Sequence, residues 1–131
     1  MQISLRKHLL SLFVFTGFVI LAFGSVDSDT DTKDIQSQAT AFTLSANELI
    51  NDYITNEVKA DLKYDGKVVE ITGVIDDIGK DIIDDIYITV GKVSSDDFLD
   101  RSVQCYFTES EAISVGNISV GERVTVKGQV R

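Results

Sequence analysis

The residues best placed to do chemistry are acidic. The segment "DDIGKDIIDD", residues 76 to 85, holds five aspartates: Asp76, Asp77, Asp81, Asp84 and Asp85. Close-set carboxylates can collect a divalent cation, work as an acid–base pair, or build a turn between strands. A helix–loop–helix calcium loop needs oxygen ligands at positions 1, 3 and 5, glycine at 6 and glutamate at 12. Started at Asp77, position 3 is Gly79 and position 12 is Ile88. Started at Asp81, position 3 is Ile83 and position 6 is Ile86. Neither register fits, so the segment is expected to be a solvated loop joining two strands, with Ile78, Ile82 and Ile83 anchoring it. A looser calcium site is the alternative. In it Asp81, Asp84 and Asp85 share an ion with Asp96 and Asp97 of a second acidic loop, "SSDDFLDRS" at 94 to 102.

Other reactive groups are few. His8 is the only histidine and Cys105 the only cysteine, which rules out an internal disulfide. Cys105 alternates with Val103 and Phe107, the pattern of a buried small apolar residue rather than a nucleophile, which needs a base or cation beside it. Carboxylates in solvated loops do not have the separated pKa values that acid–base catalysis requires. The expectation is a protein that is not an enzyme and has no cofactor.

These groups belong to a chain of 131 residues with net charge −9. Arg6, Lys7 and His8 precede an uncharged run, Leu9 to Gly24, that ends in Ala22-Phe23-Gly24. A basic start, an apolar middle and small residues at the end read as a secretory signal peptide, residues 1–24. The run is shorter than the roughly 20 residues of a membrane span, although an uncleaved anchor is the other outcome. Loss of residues 1–24 leaves 10 basic and 21 acidic residues, net −11. Such a field repels phosphate backbones and anionic lipid. Localisation is therefore expected to be exported, in the periplasm or secreted, or held at the inner membrane by the N-terminal segment.

Residues 25–41, "SVDSDTDTKDIQSQATA", are polar and acidic and read as a disordered linker. The domain is expected over 42–131. Ser45 and Glu48 form a capping box that opens a helix at about 46–60, with Leu49, Ile50, Tyr53, Ile54 and Val58 on its buried face. Strands follow at 67–76, with a bend at Gly73, then at 85–91 and 102–108. Thr108 and Glu111 repeat the capping box before a short helix. Val124, Val126 and Val130 alternate with Thr125, Lys127, Gln129 and Arg131 in a last strand, where Lys127 and Arg131 make a short basic edge.

This order predicts a mainly β protein: a small OB-fold-like Greek-key barrel with an N-terminal helix and a short helix between its third and fourth strands. An OB-fold has five strands, and the pattern yields four. The barrel is open, takes a strand from the tether or a second molecule, or lacks its last strand. An open edge makes a homodimer by strand pairing one expected partner state.

The stretch "NEVKADLKYDGKVVEITGVIDDIGKD" resembles the opening of the tRNA-anticodon-like (tRNA_anti-like) OB family of small exported bacterial proteins, often lipoproteins. Asn56, Ala60-Asp61, Tyr64, Gly66-Lys67, Gly73 and Ile78 carry the likeness, with Tyr87, "VQCYF" and "VGERVTVKG" further on. The resemblance implies an OB-fold over about 42–131 and no established enzymatic role. The chain departs from the lipoprotein pattern in having no cysteine near Gly24. OB-folds hold single-stranded nucleic acid with basic grooves and stacked aromatics. Tyr87 and Tyr106 suit such a face, but the charge and the export signal argue against nucleic acid. The expected function is an exported module that binds a protein or small ligand through Asp76, Asp77, Asp81, Asp84, Asp85, Tyr87 and Tyr106.

Overall fold

The computed structural model describes residues 35–94 and 99–131, together with the backbone of two N-terminal strands, β1 (Ile3–Ser4) and β2 (Leu12–Val19). The remaining elements are β3 (Phe42–Ser45), α1 (Ala46–Thr55), α2 (Glu57–Tyr64), β4 (Val68–Lys80), β5 (Ile86–Ser94), β6 (Asp100–Phe107), a 3-10 turn at Glu109–Glu111, α3 (Ala112–Gly116) and β7 (Arg123–Val130).

The sheet is built around β4, which serves two neighbours in turn. Val68 to Val74 pair antiparallel with β7, and Ile75 to Lys80 pair antiparallel with β5. The change of partner falls where the register slips between Ile75 and Asp77. A bulge there bends the strand and raises its twist, which a small, strongly curved sheet requires. Gly73 stands just before it for a steric reason. A Cβ at this position would lie 2.8 Å from Val90 Cγ1 and 3.0 Å from Ala46 Cβ. The bend expected at Gly73 is therefore a point of close approach, with the bulge two residues on.

β5 continues antiparallel to β6. β6 and β7 are not paired with each other; β2 lies between them, parallel to β6 and antiparallel to β7. The place of a fifth strand is thus occupied by backbone from the N-terminal apolar run. With β2 in place, the edge expected along 122–131 is flanked on both sides. β3 pairs in parallel with β4.

The inward side chains alternate along each strand. Ile71, Ile75, Ile88, Val90, Val103, Cys105 and Val126 are buried, and α1 adds Leu49 and Ile50. Each such aliphatic side chain contributes about 1.5–3 kcal/mol on leaving water.

Four local expectations are corrected by packing. The single helix at 46–60 is two helices, because Asn56 is extended (φ −162°, ψ 97°) and caps α2 by accepting from Lys59 N at 3.0 Å. Val58 consequently leaves the buried stripe and is 70 % exposed. Within 35–41 the chain docks on the sheet: Ile35 is buried, and Ala41 N donates to Val68 O. Lys127 is buried rather than part of a basic edge, its Nζ donating to Gln36 O at 3.1 Å and Gln38 O at 2.8 Å. Residues 25–34 lie outside the described residues.

Candidate functional site: the tyrosine face of β5 and β6

Because Ile88, Val90, Val103 and Cys105 point inward, Tyr87, Thr89, Gln104 and Tyr106 occupy the opposite face of β5 and β6. The register sets Tyr87 against Tyr106 and Thr89 against Gln104. The tyrosine rings are 6.2 Å apart and tilted by 54°. Tyr87 Oη donates to Asp77 Oδ2 at 3.0 Å. That bond, aided by partial burial, raises the Tyr87 pKa above its ordinary value. Burial raises the Tyr106 pKa too, with the nearby charges of Asp81 and Asp85 adding to it.

Thr89 and Gln104 were not singled out by sequence. They are 9 % and 5 % exposed, and Thr89 Oγ1 and Gln104 Oε1 have no hydrogen-bond partner among the described residues. Buried polar atoms are usually paired. The signal in the sequence was the polar type at a strand position between two core residues.

The structure divides the five aspartates. Asp76 and Asp77 are not in a loop but on β4. Asp77 holds Tyr87, while Asp76 faces Lys92, whose Nζ lies 3.7 Å from it and 2.9 Å from Asp100 Oδ2. Lys92 also lines a surface concavity of about 470 Å³ with Asn47, Gly73, Gly91 and Arg123, apart from the tyrosines. Only Asp81 to Asp85 form the turn. Asp81 Oδ1 accepts from Ile83 N at 2.9 Å and Asp85 N at 3.1 Å, and Asp84 takes the left-handed conformation (φ 68°). Asp84 and Lys80 stand 3.7 Å apart in solvent. The stretch is half strand and half turn, the turn built by one of its own carboxylates.

One further expectation changes. Ile82 and Ile83 do not anchor the turn; they are 103 % and 72 % exposed, while Ile78 packs on the core. Among the described residues no three His, Cys, Asp or Glu groups converge as a metal site. Of the calcium alternative, Asp81 is committed to the turn, and Asp96 and Asp97 lie outside the described residues. Cys105 is fully buried, and burial pushes its thiol pKa well above the ordinary range. Among the described residues no helix is long and apolar enough to cross a membrane.

Sheet order, the bulged long strand and the short helix between β6 and β7 define an OB-fold-like protein. The chain belongs to the tRNA_anti-like family, which it matches over residues 1–131. It is similar to the crystal structure of a "putative nucleic acid-binding lipoprotein" from Klebsiella pneumoniae subsp. pneumoniae. The two share 26 % identity with a TM-score of 0.55, over 79 % of this chain and 86 % of that one. Among curated proteins, none matches the chain.

Proposed function

We propose that the protein is an exported binding module that engages its ligand on the outward face of β5 and β6. The observation that carries this reading is the pair of partly exposed tyrosines, Tyr87 and Tyr106, set side by side on that face with their rings 6.2 Å apart. The partly exposed tyrosine rings suit a ligand that brings an apolar or planar group to stack on them, and their hydroxyls can exchange hydrogen bonds with it. The acidic rim of Asp77, Asp81 and Asp85 favours a neutral or cationic one, either a protein segment or a small molecule. Export rests on the basic–apolar start of the chain and on the lipoprotein likeness. The reading is of binding rather than catalysis, because the one thiol is sealed in the core.

A second reading has its own support. The Klebsiella protein carries a nucleic-acid-binding name, and adjacent tyrosines on an OB-fold can stack successive bases. One experiment separates the two. Amide NMR shifts of Tyr87, Thr89, Gln104 and Tyr106 are followed while a lysine-containing neutral-to-basic peptide and, separately, a thymidine 15-mer are titrated. Saturable shifts with the peptide support the first reading, and shifts with the oligonucleotide support the second. Shifts confined to other surfaces would remove this face as the site.

A further inference from the structure

Two properties of residues 12–19 conflict. Their backbone fills the space between β6 and β7, in register from Leu12 against Ser102 to Thr16 against Tyr106, and from Phe15 against Val130 to Val19 against Val126. The same residues form the middle of the uncharged run that follows Arg6 and Lys7. A segment paired as a strand on both sides cannot at the same time lie in a bilayer or in the export apparatus, where an apolar single segment must satisfy its backbone as a helix.

The neighbours of the gap make the strand necessary to the domain. Val103 and Cys105 on β6 and Val126 and Val130 on β7 are 0 % exposed. With the gap empty, two rows of backbone groups beside this core would lose their partners.

We propose that Leu12–Val19 is a switch strand: it completes the domain in solution, and a membrane withdraws it, opening an acceptor groove between β6 and β7. The membrane-bound state rests on the export reading of the N-terminus, while the strand state does not. Each state satisfies the backbone of the run, and the change between them frees the β6 and β7 edges. The groove's occupant is this segment, and any other extended strand entering it would compete with residues 12–19.

Cys105 is a built-in reporter, being the single cysteine and in register with Phe15. The full chain is labelled with a thiol reagent in buffer and with phosphatidylcholine vesicles, and vesicle binding is measured by flotation. Labelling is expected to be slow in buffer and about tenfold faster or more on vesicles, as local opening of one strand allows. The variant Thr16→Pro, which removes a ladder donor, is expected to speed labelling in buffer alone. Hydrogen exchange at Ile86–Val90 distinguishes local opening from global unfolding. If that region also exchanges fast, Thr16→Pro reports loss of the fold and the vesicle comparison decides. Fast labelling of the folded chain in buffer overturns the strand state. A chain that floats with vesicles while Cys105 stays slow overturns the switch and leaves export intact. A chain that does not float overturns the membrane end of the switch and leaves the export reading, which concerns the unfolded chain, intact.

Discussion

Ser45–Glu48 and Thr108–Glu111 are the same four-residue pattern at two helix starts, and their local geometry is nearly the same. Ser45 N and Oγ donate to Glu48 Oε2 at 2.8 and 2.9 Å, and Thr108 N and Oγ1 donate to Glu111 Oε2 at 2.8 and 3.1 Å. Their electrostatics are opposite. Glu48 is exposed, and the hydrogen bonds from Ser45 hold its pKa below the ordinary value. Glu111 is 4 % exposed, its Oε1 has no hydrogen-bond partner among the described residues, and burial pushes its pKa up to about 7 despite the same bonds. Hydrogen bonds to the charged form lower a carboxyl pKa, and loss of water raises it. The motif supplies the first, and only the fold decides whether the second outweighs it.

The largest test of this contrast concerns what holds the exposed box against the sheet. Gly91 has φ 72°, and a Cβ there would meet Ala46 Cβ and Asn47 Oδ1 at 2.7 Å, both in the first turn of α1. Gly91→Ala is expected to cost about 3 kcal/mol in urea unfolding, from backbone strain and overpacking together. A cost near zero would mean that the start of α1 is not held by this contact.

The buried box should respond to pH. The folded pKa of Glu111, about 7, lies above its unfolded value near 4.5. The folded state therefore holds an extra proton between those values. Its contribution is full below about pH 4.5 and is lost as pH rises through about 7, a difference on the order of 3 kcal/mol. Glu111→Gln is expected to remove that slope when stability is measured at pH 5 and pH 8. An unchanged slope would assign it to other groups.

A smaller effect is expected at the exposed box. Ser45→Ala should cost about 1 kcal/mol at pH 7, the usual value of a lost helix N-cap. The smallest is Glu48→Gln. Because the folded pKa is lowered, Glu48 stabilises the fold above its unfolded pKa and loses that effect as pH falls through the folded one. The variant should match the parent at low pH and fall slightly below it near pH 7, in the same urea series. Equal pH responses at Glu48 and Glu111 would dissolve the contrast between the boxes.

Residue type and spacing determined the local elements. Both capping boxes, the alternation along β4 to β7, burial of Cys105 and the OB-fold order were legible, because each depends on neighbours within a few residues. The paired tyrosines were legible for the same reason. Other features depended on contacts distant in sequence. Asn56 splits one helix into two by capping the second, and Lys127 turns inward because Gln36 and Gln38 bring carbonyls to it. Thr89 and Gln104 lie buried on the tyrosine face, a burial their sequence positions did not announce. The five aspartates separate into a tyrosine anchor, a lysine partner and a turn, because strand pairing carries two of them into β4. The place of Leu12–Val19 was least legible of all. Its composition suits a bilayer and a sheet equally, and only the vacant edges of β6 and β7 select the strand.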